Sequence, residues 1–292
     1  MTEMNKTLNY NVQNYVLENG SIADVLRLNS AGYDIPQEQV TAALDGLKTM
    51  QNRDGGLPFD LVKGNPSSVK ITSEILPLIA KYRETHSDFF SKMVTFLISR
   101  QKKDGGFAET LNLDPYIEDK FGMTWGREWY PVGKSITWLT GKALEALCII
   151  NYDDQERLRR ARDFLLYSQN EDGHWPDYKE RDESDPLGTG NILPALLAVG
   201  VSDDHKVYQD GRAAVLQHLA SAIDTKSVFD MVDLVAVGKP VNDKEREVIS
   251  EGLKLVKTTQ STDGGWIPEG AKKSDPELSS ILAFVYKKCH EY

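Results

Sequence analysis

Gln101-Lys-Lys-Asp104-Gly105-Gly106-Phe107 is one of four copies of a single phrase in this 292-residue chain. The others are Gln51-Asn-Arg-Asp54-Gly55-Gly56-Leu57, Gln169-Asn-Glu-Asp172-Gly173-His174-Trp175 and Gln260-Ser-Thr-Asp263-Gly264-Gly265-Trp266. The shared form is Q-x-x-D-G-[GH]-[aromatic or Leu], and self-similarity of this kind marks a repeat architecture. Each copy is preceded by apolar residues at helical spacing: Val40, Ala43, Leu44, Leu47 and Met50; then Phe89, Met93, Phe96 and Leu97. Leu158, Ala161, Phe164 and Leu165 precede the third copy, and Val248, Ile249, Leu253 and Val256 the fourth. These are amphipathic helices with charged outer faces. Asp154 opens the third, and Asn242-Asp-Lys-Glu245 reads as a capping box on the fourth. The Asp-Gly step then tolerates positive φ, which ends the helix and turns the chain.

A polar loop and a second, less polar helix follow each copy. The second helices share a signature: Thr72-Ser-Glu-Ile-Leu76, Thr140-Gly-Lys-Ala-Leu144, Thr189-Gly-Asn-Ile-Leu193 and Leu278-Ser-Ser-Ile-Leu282, with Pro77 and Pro194 placed alike. Apolar residues on nearly every face suit a helix packed on both sides. Two further unmarked hairpins, at about 8–34 and 206–238, bring the count to six. The expectation is an all-α fold, an (α/α)6 toroid of about twelve helices in inner and outer rings, with almost no β-structure. No linker rich in Pro, Gly or Ser divides the chain, so residues 1–292 are expected to form one domain.

Q-x-x-D-G-G-W resembles the QW motif of the squalene–hopene and oxidosqualene cyclases. The same toroid is known in class II terpene cyclase β-domains and in protein prenyltransferase β-subunits. The resemblance runs over about residues 36–290 through the four copies. It implies an (α/α)6 toroid whose inner helices line a central cavity, with the motif itself structural: the Gln joins adjacent turns and the aromatic stacks beside it. The residues say the same, since a Gln at a helix end can bond orphaned backbone groups.

Chemistry then falls to the inner helices and the loops before them. Three loops are short: 16 positions from Gly56 to Thr72, 15 from His174 to Thr189 and 13 from Gly265 to Leu278. The second, from Gly106 to Thr140, is 34 positions long. This insertion, at about 107–131, is where such folds place a lid or a substrate wall. It is also the most aromatic stretch: Tyr116, Phe121, Trp125, Trp129 and Tyr130, with Trp138 entering the next helix. These six are the candidate substrate-binding residues, since aromatic faces hold apolar chains and stabilise cations. Packing of a long loop onto the ring is the competing reading.

A class II cyclase starts by protonating an alkene or epoxide, which needs a carboxyl kept protonated. The resemblance implies a D-x-D-D before an inner helix, and the nearest segment is Asp182-Glu183-Ser184-Asp185-Pro186. Asp182 and Asp185 match the outer two acids and are the candidate catalytic residues. The family's central proton donor falls on Ser184, which has no acidic proton to give. Asp185 is equally suited to capping the following helix. The zinc set implied by the prenyltransferase branch is not visible: Cys148 sits among apolar residues, and Cys289 and His290 are neighbours that do not share a helix face. No metal and no cofactor is expected.

Composition narrows the partners. With 34 Lys+Arg against 44 Asp+Glu the net charge is −10, which disfavours nucleic acid. The N-terminus has no apolar leader and no stretch is long enough for a membrane span, so a cytoplasmic protein is the expectation. The leading functional expectation is a terpene-cyclase-like enzyme. It acts on a hydrophobic isoprenoid-type substrate by acid-initiated cyclisation or isomerisation. Two alternatives stay open: a non-catalytic toroid binding an apolar ligand or a protein, and a glycan hydrolase or lyase built on paired carboxylates. The oligomeric state is not legible.

Overall fold

The computed structural model describes residues 7–291, apart from the side chains of 123–125. The chain divides into two compact units. One joins its two ends, Met1–Leu44 with Val215–Tyr292; the other is the continuous stretch Asp45–Ala214.

Among the described residues the helices run α1 (Val12–Asn19), α2 (Ile22–Ser30), α3 (Gln37–Met50), α4 (Val69–Leu78), α5 (Ser87–Ser99), α6 (Asp114–Phe121), α7 (Met123–Trp129), α8 (Thr137–Ile149), α9 (Gln155–Leu166), α10 (Pro186–Ala198), α11 (Lys206–Thr225), α12 (Leu234–Val237), α13 (Asp243–Thr259) and α14 (Pro276–Cys289). Twelve of them are the expected hairpins, and α6 and α7 are made by the insertion. Among the described residues the strands form two short antiparallel pairs, β1 (Leu57–Pro58) with β2 (Ser67–Ser68) and β3 (Trp175–Pro176) with β4 (Ser184–Asp185), beside isolated bridges such as Phe107 with Ile136 and Trp266 with Asp275.

The alternation of helix types is as the sequence requires. α9 buries one stripe, Leu158, Ala161, Phe164 and Leu165. α8 is buried nearly all round, through Thr137, Trp138, Leu139, Thr140, Gly141, Ala143, Leu144, Ala146 and Leu147. Each large apolar side chain of this kind contributes about 1.5–3 kcal/mol by leaving water.

The repeated phrase is a hydrogen-bond device. In every copy the Gln amide donates to the second turn carbonyl (Gly55, Gly105, Gly173 or Gly264) and to a carbonyl at the start of another helix, namely Phe89, Arg157, Val207 or Tyr10. The motif Asp accepts from the backbone two residues on and from a loop serine: Asp54 from Ser67, Asp104 from Ser135, Asp172 from Ser184 and Asp263 from Ser274, at 2.6–3.0 Å. Five residues after each serine, a hydroxyl on the second helix accepts the amide of the motif's last residue: Thr72, Thr140, Thr189 and Ser279. The fourth signature is therefore offset by one, with Ser279 rather than Leu278 standing where the others have threonine. Trp175 and Trp266 each also donate their indole N–H to a carbonyl ten residues back, at 2.7 Å.

Candidate functional site

The continuous unit holds the candidate acids. After the third motif turn the chain forms β3, loops through residues 177–183 and returns as β4, pairing Trp175 with Asp185 and Pro176 with Ser184. Asp185 is the N-cap of α10: Oδ1 accepts Leu187 N–H at 3.1 Å and Oδ2 accepts Gly188 N–H at 2.9 Å. Pro186 at the first helical position needs no such partner. The capping role weighed from sequence is thus present, and it coexists with an electrostatic one. Burial pushes the Asp185 carboxyl above its ordinary value, opposed by those two amides and by the charges of His174 and Arg181.

The hairpin brings Asp177, not Asp182, beside Asp185. Asp177 is 4% exposed. Its Oδ2 accepts from Arg181 Nη1 at 2.6 Å, while its Oδ1 is buried and meets no donor. Burial first, then the Asp185 charge, pushes Asp177 up to about 7, against the pull of Arg181. Asp182 is exposed on the loop, where its main-chain carbonyl accepts the Asn170 amide at 3.3 Å. Ser184 is the third of the four motif serines, bonded to Asp172 at 3.0 Å and accepting from Asn170 at 2.9 Å. Its place opposite the family's central acid thus follows from the repeat.

The insertion gathers its aromatics. Phe121 meets Trp129 edge-on at 4.9 Å, Trp129 stacks on Tyr130 at 5.3 Å, and Trp138 meets Trp129 at 5.9 Å and Tyr130 at 4.9 Å. Tyr130 and Trp138 are buried, whereas Phe121, Trp129 and, on α6, Tyr116 are half-buried. Trp125 lies outside the residues whose side chains are described. The cluster is joined to the acid loop at two points: Thr137, next to Trp138, donates its amide to the Asp177 carbonyl at 2.8 Å, and Arg181 donates to the Glu128 carbonyl, next to Trp129, at 2.8 Å.

Three functional candidates escaped the sequence reading: Asp177, Arg181 and Glu109. Glu109 is buried and accepts from Tyr130 Oη at 2.5 Å, Val69 N–H at 2.7 Å, Ser68 Oγ at 2.8 Å and Lys70 N–H at 2.9 Å, which ties the insertion to the first turn of α4. Burial and the adjacent Glu109 charge push the Tyr130 hydroxyl well above its ordinary value. A signal for both acids was available: Glu109 and Asp177 each stand two residues after the motif aromatic, a position that the turn folds inward. Burial also raises the two thiols, Cys148 to about 11 and Cys289 to about 12.

No protein-family profile matches the chain. Squalene–hopene cyclase of Alicyclobacillus acidocaldarius is 23% identical over 282 residues, covering 85% of this chain and 42% of that protein. The chain thus spans less than half the length of this curated relative. A point variant of the type II terpene cyclase MstE from Scytonema, solved with geranylgeranyl dihydroxybenzoate, is 16% identical with a TM-score of 0.67, covering 93% of this chain and 87% of that one. An α-amylase from Clostridium perfringens is 11% identical with a TM-score of 0.58, covering 91% and 85%. At these identities the likeness fixes the fold, an all-α toroid of paired helices. The type II terpene cyclase and the amylase both share this fold with the chain. No helix among the described residues is long and apolar enough to cross a membrane.

Proposed function

We propose that this protein is a terpene-cyclase-like enzyme that takes a hydrophobic isoprenoid-type substrate and starts cyclisation or isomerisation by protonating it. The observation that carries this reading is a carboxylate pair at the start of α10, buried Asp177 beside half-buried Asp185, in a fold shared over 93% of the chain with a type II terpene cyclase. A carboxyl raised to about 7 still carries its proton in a large fraction of molecules at neutral pH, the first requirement of acid initiation. Half-buried Phe121, Trp129 and Tyr116 supply aromatic faces for an apolar chain and a developing cation, with Tyr130 and Trp138 packed against Trp129.

The test is incubation of the purified protein with linear C20 and C30 isoprenoids and analysis of the extract for cyclised or isomerised products. Asp185→Asn removes the acid-pair charge and keeps one of the two cap bonds, since the amide oxygen can still accept from Leu187 or Gly188 while its NH2 cannot. Product formation by the wild type and its loss in this variant are expected; undiminished activity in the variant removes Asp185 from the mechanism.

A non-catalytic ring is the second reading, favoured by Ser184, whose bonds to Asp172 and Asn170 give it a structural reason to exist. The glycan-hydrolase reading draws on the amylase likeness, but Asp177 and Asp185 touch through their side chains. Glycosidase carboxylates stand about 5–10 Å apart to admit the sugar or a water.

A further inference from the structure

Three observations meet at Asp177. Both oxygens of Asp185 are filled by N–H groups at the start of α10, and a helix N-terminus favours the charged carboxylate. Asp177 has one oxygen on Arg181 and one that is buried with no donor. The β3–β4 turn sets the two carboxyls in side-chain contact, where like charges disfavour double ionisation. A proton on Asp177 Oδ1 relieves both problems at once, since the orphaned oxygen becomes a donor to Asp185 and the pair carries one charge.

We propose that Asp177 is the acid holding the transferable proton of this site, with Asp185 as its ionised partner and Arg181 as the positioning residue that faces the charge left behind. This rests on the acid-initiated reading above. In the step, the Asp177 O–H bond breaks and its electron pair stays on the carboxylate. The π pair of a substrate alkene forms the new C–H bond, and the adjacent carbon becomes cationic. Ring closure or migration is followed by loss of a carbon-bound proton, which returns to the carboxylate pair, so the product is an isomer and no co-reactant is consumed.

The surroundings fit the assignment. Burial and the Asp185 charge raise Asp177 to about 7; Glu183 adds to this and Arg181 opposes it. His174, from the motif turn, acts on Asp185. α8 contributes the Thr137 amide and hydroxyl to the Asp177 carbonyl, and α7 contributes the Glu128 carbonyl to Arg181. Arg181 is held on its far side by Glu183 at 2.7 Å, so its guanidinium stays in place as the charge on Asp177 changes.

The experiment is a carbon-13 NMR titration of the aspartate carboxyls in the whole protein, without substrate. The wild type should show one carboxyl titrating well above the ordinary range. Asp177→Asn should abolish it, Asp185→Asn should lower its midpoint by about one unit or more, and Arg181→Gln should raise it by a similar amount. Absence of such a carboxyl, or its persistence in Asp177→Asn, overturns the proposal. Once turnover is measured, the alkaline limb of the pH–rate profile should move with the NMR midpoint in Asp185→Asn and Arg181→Gln; a limb that stays put also overturns it. The expected titration without any isoprenoid turnover would place the failure in the enzymatic reading and still support Asp177 as the proton holder.

Discussion

Replacing Tyr130 with Phe removes a single oxygen that ties the insertion to α4. Tyr130 is fully buried, and its hydroxyl is one of four donors to Glu109, the others being Ser68 Oγ and the amides of Val69 and Lys70. The ring keeps its packing against Trp129 and Trp138, and Glu109 keeps three partners. The loss is therefore close to the net worth of one hydrogen bond to a charged acceptor, about 1.5–3 kcal/mol. Glu109→Ala is harsher, because it strands two amides and two hydroxyls in a buried place. If the bond is the route of the effect, adding Tyr130→Phe to Glu109→Ala should cost little more, a non-additivity expected of directly bonded partners. Equilibrium urea unfolding followed by tryptophan fluorescence measures all three proteins, with an unchanged slope as the check on two-state behaviour. A Tyr130→Phe change under about 0.5 kcal/mol, or full additivity in the double variant, would refute the view that this bond seats the insertion.

Stability should also depend on pH through Asp177. Its carboxyl lies at about 7 in the folded protein against an ordinary 3.8, so its contribution is fully present below about pH 4 and is lost as pH rises through 7. The shift of about three units corresponds to at most about 4 kcal/mol, and Asp177→Asn should flatten the dependence and be the more stable protein at alkaline pH; urea midpoints at mildly acidic and mildly alkaline pH decide it. Gly105 has φ +96° and its missing Cβ would strike the Arg160 carbonyl, so Gly105→Ala should cost about 3 kcal/mol or more, read as lost thermal stability or loss of soluble protein. Ser184→Ala should cost only about 0.5–1.5 kcal/mol for its half-buried bonds and leave any activity in place, whereas Ser184→Asp sets a second carboxylate against Asp172 and should destabilise rather than activate. Comparing product yield and unfolding midpoints of the two variants checks both halves.

Much of the architecture was legible because it is periodic. The four motif copies, the stripe of Leu158, Ala161, Phe164 and Leu165, and the all-round burial of α8 follow from side-chain spacing alone. The long second loop also announced itself by length and aromatic content. The acid pair was not legible for a physical reason. Asp177 and Asp185 are eight residues apart, and a two-residue strand pair, too short for any period-two signal, brings them together. Asp182 stands where the sequence pattern calls for an acid, but the loop carries it outward. The Ser184 assignment needed the comparison across repeats that Ser67, Ser135 and Ser274 supply, five residues before each helical hydroxyl.

The most direct measurement is native mass spectrometry of the purified protein together with extraction of any bound small molecule and incubation with linear isoprenoids. A co-purifying lipid or terpenoid, and conversion of an added isoprenoid to an isomer of equal mass, is the predicted result. A ring that carries nothing apolar, leaves every isoprenoid unchanged and instead cleaves oligosaccharides would contradict the account and reassign its carboxylates to glycan chemistry.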